Sequence, residues 1–76
     1  MLLHELIRDY RKSKGVSQMH LSKVTGIEND IISAVENGNR NLRANEFLLL
    51  CKGLEVDPKI FMDKLLKNES LKNNSQ

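Results

Sequence analysis

Apolar residues recur along the chain at intervals of three and four positions, which is the spacing of one face of an α-helix. The first such segment predicts an amphipathic helix over about residues 2–14, and Gly15 is well suited to end it. The apolar positions of this helix are Leu3, Leu6, Ile7 and Tyr10. Charged residues occupy most of the positions between them, so the helix should bury one face and expose the other.

Two short helices follow in quick succession. Ser17 is a favourable N-cap for a second helix over about residues 18–25, and Gly26 comes directly after it. A third helix is predicted over about residues 28–37, with Gly38 as its stop. The inward positions are predicted to be Leu21 and Val24 in the second helix and Ile27, Ile32 and Val35 around the third.

Two further helices complete the pattern. The fourth is predicted over about residues 44–52 and is closed by Gly53. The fifth has the clearest start, because Asp57 is a good cap and Pro58 suits the first helical position. The apolar positions are Phe47, Leu48, Leu50 and Cys51 in the fourth helix and Ile60, Phe61, Met62, Leu65 and Leu66 in the fifth. Residues 68–76 are polar and are expected to form a fraying tail.

The length and composition agree with one small all-α domain. The chain has 76 residues, which is one domain, and no segment alternates as a strand does. We therefore predict a compact domain of five helices over residues 1–67. Its single cysteine, Cys51, excludes an internal disulfide and is expected to be a buried small hydrophobe.

The chain carries no sign of export or of a membrane span. It begins Met-Leu-Leu-His-Glu, which lacks the basic and long apolar regions of a signal peptide. No stretch approaches the ~18 consecutive apolar residues that a spanning helix needs. A lone thiol also suits a reducing compartment, so we expect a soluble, cytoplasmic protein.

Charge is informative through its distribution rather than its sum. Twelve Lys and Arg residues against ten Asp and Glu give a net charge of only +2. The basic residues cluster in the first helix and after the third, at Arg8, Arg11, Lys12, Lys14, Arg40 and Arg43. If the fold brings the two clusters together they form one basic face, and otherwise they are ordinary solvated charges.

Residues 18–37 contain the most informative motif. They predict two short helices joined at Gly26, which can adopt the positive φ of a tight reversal. Ser22 is small enough to let the helices pack closely, and the apolar wedge between them is Leu21, Ile27, Ile32 and Val35. This is the pattern of a helix-turn-helix. A helix pair alone is weak evidence for DNA binding, because helical hairpins are common.

The flanks of the motif strongly resemble the repressor/Cro (Xre) family of bacterial and phage regulators. The resemblance lies in residues 15–18 (GVSQ), 35–41 (VENGNRN) and 53–57 (GLEVD), and it covers about residues 3–66. Within that family, residues 40–42 (RNL) and 52–56 (KGLEV) are similar to controller proteins of restriction–modification systems. The resemblance implies a lambda-repressor-like fold and sequence-specific DNA binding.

The resemblance also implies roles for particular residues. The third helix would enter the major groove, with bases read by Asn29, Asp30, Ser33 and Ala34. Phosphate contacts would come from Ser17, Gln18, Asn37, Arg40 and Arg43. Arg11 and Glu36 match a structural ion pair beneath the motif. Asn29 is the best candidate for base reading, because its amide can pair with adenine N6 and N7.

Two residues depart from the family pattern. Glu28 stands where a short capping residue is usual, and Asp30 where a neutral or basic one is common. Asp30 could accept a hydrogen bond from cytosine N4. The acids could instead mark a protein-binding adaptor or antitoxin-type partner that has lost DNA binding. Ala34 is short, so direct base reading could be sparse and DNA shape could matter more.

The fifth helix suggests a homodimer. Phe61 with Leu65, and Met62 with Leu66, form two apolar pairs rotated by about 100° from each other. One pair can cover the core, while the other leaves an apolar surface that a second subunit could cover. The predicted interface is Ile60, Phe61, Met62, Leu65 and Leu66. A two-fold dimer would read a pseudo-palindromic operator, with recognition helices ~34 Å apart.

The motif and its resemblance to this family predict a transcriptional regulator, most simply a repressor, and not an enzyme. No acid–base arrangement surrounds Ser17, Ser22 or Ser33, so no catalytic residue is predicted. His4 and His20 are far along the chain from any cysteine or acidic cluster, so no metal site is expected. No cofactor or small-molecule ligand is implied.

Overall fold

Five helices make up the described part of a computed structural model. The structure describes the backbone of residues 1–74 and the side chains of residues 1–67. The helices are α1 (Leu3–Ser13), α2 (Gln18–Thr25), α3 (Asn29–Glu36), α4 (Ala44–Gly53) and α5 (Pro58–Asn74). Residues 1–74 contain no strand, and the all-α prediction is confirmed. The polar tail was predicted to begin at residue 68, whereas the backbone of α5 continues to Asn74; the side chains of residues 68–76 lie outside the described part of the structure.

The predicted helix starts and stops are present in the structure. The Ser17 hydroxyl accepts the His20 backbone N–H at 3.0 Å and so caps α2. The Asp57 carboxylate accepts the Lys59 N–H at 2.9 Å and caps α5. Gly26 follows α2 with φ of 79°, which a residue with a Cβ adopts only with strain. Local chemistry therefore defines these boundaries.

A single core lies between the helices. Helix α2 contacts α3 and α4, and α1 contacts α3 and α5. The ring of Phe61, in α5, is 1% exposed and meets Tyr10 and Phe47 edge-on, at centroid distances of 5.6 and 6.0 Å. The other buried apolar residues are Leu6, Ile7, Leu21, Ile27, Ile32, Val35, Leu50, Cys51 and Leu54.

Cys51 is a core residue, as predicted. Its side chain is buried, and desolvation together with the nearby charge of Asp57 raises the pKa of the thiol to about 11. A thiol with so high a pKa is almost entirely protonated near neutral pH, and only the thiolate is a strong nucleophile or metal ligand. Cys51 therefore contributes apolar contact to the core rather than chemistry.

Val24, which was predicted to face inward, is exposed, and so is Leu48 of the apolar run in the fourth helix. Val24 is 50% exposed and Leu48 is 56% exposed. In α4 the inward stripe begins at Phe47 and continues through Leu50 and Cys51, so Leu48 is rotated out of it. In α2 only Leu21 is fully enclosed, and Val24 lies at the edge of the contact with α4.

Gly53 is required by a close approach rather than by its backbone angle. It is the last residue of α4, and a Cβ built there would lie 2.7 Å from Thr25 Cγ2 and 3.0 Å from Leu21 Cδ1. The left-handed position of the following turn belongs instead to Glu55, with φ of 56°. Glycine at residue 53 therefore lets α4 press directly against α2, which holds the first helix of the motif in place.

Replacing Gly53 with alanine should destabilise the domain. The added methyl group overlaps Thr25 and Leu21, and overpacking of this kind costs about 1–3 kcal/mol. Thermal unfolding at fixed protein concentration would show this as a lower Tm. Asn45→Ala, at an exposed position of the same helix, is the matched control and should change the Tm little. Equal Tm values for the two variants would contradict the close packing of α4 on α2.

Candidate nucleic-acid interface

The turn between α2 and α3 is rigid because its polar groups are satisfied locally. The Gly26 N–H donates to the Ser22 carbonyl at 2.9 Å, and the Ser22 hydroxyl donates to the Ile27 carbonyl. The Thr25 hydroxyl donates to the Leu21 carbonyl at 2.7 Å and accepts the Ile27 N–H at 3.2 Å. Ile27 is itself buried, which anchors the turn in the core. The orientation of α3 relative to α2 is therefore well determined.

The four residues predicted to read bases share the outer side of α3. Asn29 and Asp30 are exposed, and Ser33 and Ala34 are half-buried one turn later. Asn29 and Ser33 are four residues apart, as are Asp30 and Ala34, so the four positions fall within about 140° of the helix circumference. The opposite side of α3 is closed, because Ile32 and Val35 are 1% and 2% exposed. The structure therefore brings these four side chains together on a surface that solvent can reach.

The two acids at the start of α3 have a structural explanation. Glu28 is the N-cap residue and makes no capping hydrogen bond with its side chain, while Asp30 lies in the first turn. Carboxylates near a helix N-terminus are stabilising by about 0.3–1 kcal/mol, because the unpaired N–H groups carry partial positive charge. Both acids thus favour an eight-residue helix that has no side-chain cap. Their presence does not require that DNA binding was lost.

Arg11 and Glu36 form the buried polar centre of the molecule. Arg11 Nε and Nη2 donate to Glu36 Oε2 and Oε1 at 2.7 and 2.9 Å, and Arg11 Nη1 donates to the Val16 carbonyl at 2.7 Å. Arg11 is 8% exposed and Glu36 is 1% exposed. Gln18 Nε2 adds a bond to Glu36 Oε1 at 2.9 Å. This network, Arg11–Glu36–Gln18, joins α1, α2 and α3.

The predicted phosphate contacts fall into two groups. Ser17 and Gln18 lie at the start of α2, where the hydroxyl of Ser17 caps the helix and Gln18 is half-buried on Glu36. Asn37 ends α3 and is exposed, and Arg43 precedes α4 and is exposed. Both groups therefore border the motif, one at the first helix and the other beyond the second.

Arg40 is engaged by a residue that the sequence reasoning missed. Its Nη1 and Nη2 donate to Glu46 Oε1 and Oε2 at 2.8 and 3.1 Å. The Arg43 backbone N–H donates to Glu46 Oε1 at 3.0 Å. A glutamate three residues after a helix N-cap is the second half of a capping box. Glu46 was therefore visible as a signal in the sequence, but Arg43 is not one of the usual N-cap residues, so the capping box was not recognised.

The partners of Glu46 keep its side chain charged. Chiefly the Arg40 guanidinium, and then the Arg43 backbone N–H, hold the pKa of the Glu46 carboxyl below its usual value. A carboxyl whose pKa is lowered by folding adds stability above its unfolded pKa. That contribution is lost as the pH falls through the lowered value. The bonds to Arg40 and Arg43 therefore persist at neutral pH.

The basic surface is smaller than the sequence suggested. Arg11, counted in the first basic cluster, is buried and paired with Glu36. Arg40, in the second cluster, is paired with Glu46, and Arg8 lies 3.7 Å from Asp9. Exposed cations remain at Lys12, Lys14 and Arg43. Many of the predicted basic residues are thus matched by acids within the chain.

The fifth helix corrects one predicted interface residue. Phe61 was assigned to the dimer interface but is buried in the core, and Leu65 packs partly against that core. The inward pair is therefore Phe61 with Leu65, because the helix starts at Pro58 in a phase that points Phe61 at Tyr10. The other predicted interface residues, Ile60, Met62 and Leu66, are 45%, 37% and 60% exposed.

Comparison with known families identifies the class of protein. Residues 7–61 match the helix-turn-helix family, so the chain belongs to that family. Its similarity extends to named controller proteins. The control protein C.SmaI of Serratia marcescens is 33% identical over 69 residues, which are 90% of this chain and 82% of that protein. The resemblance to repressor/Cro regulators and to controller proteins is thereby confirmed.

Solved structures give the same result. The restriction–modification controller protein C.Esp1396I, crystallised as a tetramer in complex with its natural 35-base-pair operator, is 32% identical with a TM-score of 0.79. The alignment covers 86% of each chain. The controller protein C.AhdI from Aeromonas hydrophila is 29% identical with a TM-score of 0.74, covering 78% of this chain and 89% of that one.

No helix within the described residues is long and apolar enough to cross a membrane.

Removing one partner of the buried ion pair should be severely destabilising. Arg11→Met leaves the Glu36 carboxylate buried without its main partner, which costs about 3 kcal/mol or more. Arg8→Met is the matched control, because Arg8 lies on the same helix but is only partly buried and 3.7 Å from Asp9. Chemical denaturation measures both. A loss for Arg11→Met no larger than that for Arg8→Met would contradict a structural role for the pair.

Proposed function

We propose that this chain is a sequence-specific DNA-binding transcriptional regulator that acts as a homodimer on a pseudo-palindromic operator. The proposal rests on the exposure of the outer side of α3, which a rigid turn holds in a defined orientation. That side carries Asn29, Asp30, Ser33 and Ala34. Family membership supports it, as does the operator complex of the similar protein C.Esp1396I. The bound regulator most simply represses genes near the operator.

The recognition step follows from the geometry of α3. An exposed helix with a closed inner side fits the major groove of B-DNA, which is about 12 Å wide. Asn29, at the first position of α3, would donate and accept on one adenine, and Asp30 would accept from cytosine N4. Ala34 offers only a methyl group, so apolar contact with thymine or the shape of the groove would matter there.

Phosphate contacts would fix the register of α3 in the groove. The start of α2 offers backbone N–H groups beside Ser17 and Gln18, and helix N-termini favour anions. On the far side of the motif, Asn37 and Arg43 would contact the backbone of the duplex. Such contacts bind without reading sequence, and they make affinity fall with salt. Because the net charge is only +2, each of these few contacts should contribute appreciably to the affinity for DNA.

A second subunit would supply the affinity that one module lacks. Met62 and Leu66 are exposed one turn apart on α5, and Ile60 is exposed nearer the start of the helix, so α5 offers apolar side chains that a second copy of the chain could cover. Single DNA-binding modules bury little surface on DNA, and a two-fold dimer doubles the contacts and reads a symmetric site. The tetramer of the similar protein C.Esp1396I on its operator supports assembly of this kind.

The remaining features of the proposal follow from the DNA partner. A regulator of transcription works where the chromosome is, so we assign the chain to the cytoplasm of a prokaryotic or phage-infected cell. The chain is not an enzyme, an assignment that rests on its similarity to control proteins. No cofactor or small-molecule ligand is part of the proposal.

Asn29 and Arg43 should affect DNA binding in different ways. With an operator enriched from random-sequence DNA, Asn29→Ala should relax preference at one base pair of each half-site by about 1–3 kcal/mol. Arg43→Ala should weaken all sequences alike and reduce the salt slope of log K by about one. Binding titrations on the operator and on its single-base variants measure both effects.

Two results would contradict these assignments. Uniform losses from Asn29→Ala on every sequence would remove Asn29 as a base reader. A wild-type chain that enriches no sequence, and shows no salt-dependent affinity for DNA, would instead favour the protein-binding adaptor. In that case the acids Glu28 and Asp30, at the start of α3, would be explained as part of a protein-binding surface.

The apolar surface of α5 should be required for the dimer. Leu66→Asp places a charge on that surface and should shift the chain toward monomer, as sedimentation equilibrium would show. Leu48→Asp is the matched control, because Leu48 on α4 is similarly exposed at 56% against 60%. Loss of the dimer in Leu48→Asp with no change in Leu66→Asp would move the interface from α5 to α4.

A further inference from the structure

The segment between α3 and α4, residues 37–43, is held in its middle by side chains. Backbone bonds secure its two ends, with the Asn39 N–H on the Ala34 carbonyl at 2.8 Å and the Phe47 N–H on the Arg43 carbonyl at 2.9 Å. Within residues 1–67, Arg40, Asn41 and Leu42 make no backbone–backbone hydrogen bond. The middle of the loop therefore depends on side chains for its conformation.

Glu46 supplies the missing constraint. Its two carboxylate oxygens accept both terminal nitrogens of Arg40, at 2.8 and 3.1 Å, and one of them also accepts the Arg43 backbone N–H at 3.0 Å. Arg40 Nη1 bonds the Asn41 carbonyl at 3.2 Å as well. One carboxylate in the first turn of α4 thus ties the middle of the loop to its end. The half-buried Leu42, packed on the core, adds an apolar anchor between them.

We propose that Arg40 and Glu46 are positioning residues for DNA binding, which hold residues 37–43 in the shape that presents Asn37 and Arg43 to the DNA backbone. This inference rests on the proposed function. It replaces the sequence-based assignment of Arg40 as a direct phosphate contact. Arg43 is then the exposed cation of the loop.

The alternative, in which Arg40 leaves Glu46 for a phosphate, is electrostatically unfavourable. The Glu46 side chain is 13% exposed, against 30% for Arg40. If Arg40 moved to DNA, the Glu46 carboxylate would keep only the Arg43 N–H and would face an approaching anion of the same sign. Like charges in a partly dry environment repel more strongly than in bulk water. The bidentate pair is therefore expected to stay closed when DNA binds.

The test compares Arg40→Met, Glu46→Gln and the double variant with the wild-type chain. Each is titrated with the enriched operator at several salt concentrations, and Arg43→Met provides the reference for a true phosphate contact. Positioning predicts that both single variants weaken operator binding about two- to fivefold, because a partly buried pair of this kind contributes about that much to the order of the loop. The double variant should be no weaker than either single variant, and the salt slope should match wild type in all three.

Each other outcome overturns the inference. A salt slope reduced by about one in Arg40→Met, as expected for Arg43→Met, would make Arg40 a phosphate ligand. Tighter binding by Glu46→Gln would mean that Glu46 withholds Arg40 from DNA. Unchanged affinity in both single variants would leave the loop without a role in binding. If the wild-type chain binds no operator, the proposed function fails, whereas normal wild-type binding with any of these results rejects only the positioning role.

Discussion

The structure depends on one buried ion pair. Arg11 and Glu36 lie among apolar side chains, where a charge is tolerated only if its bonding capacity is satisfied. The two residues bond each other, Arg11 also donates to the Val16 carbonyl, and Gln18 donates to Glu36. Within the described residues, no buried side-chain nitrogen or oxygen atom is left without a partner. Since these groups come from three helices and the connection between two of them, a shift of any one helix would break several charged hydrogen bonds together. Helix α3, the proposed recognition helix, is therefore held against the first helix by polar contacts as well as by packing.

The same short helices could not keep their shape alone. Helices α2 and α3 have eight residues each, which is below the length at which isolated helices are stable in water. Their order comes from the surroundings: Gly53 lets α4 approach α2 directly, and Phe61 of α5 fills the centre of the core. What the fold achieves is to expose one side of α3 while burying the other. The proposed base reading would then need only the four side chains on that exposed side.

Part of the positive charge of this nucleic-acid-binding protein is paired with acids inside the molecule. Arg11 and Arg40 are neutralised by Glu36 and Glu46, so two of the basic residues act within the protein. The acids at the start of α3 serve the helix dipole and leave little excess positive charge near the groove. Affinity must then come from accurate placement of a few contacts and from a second subunit.

The sequence by itself determined every helix, the N-caps of α2 and α5, the turn at Gly26 and the family, because these depend on local spacing and on chemistry between near neighbours. It also indicated the pairing of Arg11 with Glu36, through a family resemblance. Only the tertiary structure decided that Arg40 is bound to Glu46, that Phe61 faces the core, and that Val24 and Leu48 do not. A helical pattern leaves the exact rotation of each helix open by tens of degrees, and neighbouring helices settle it when they pack.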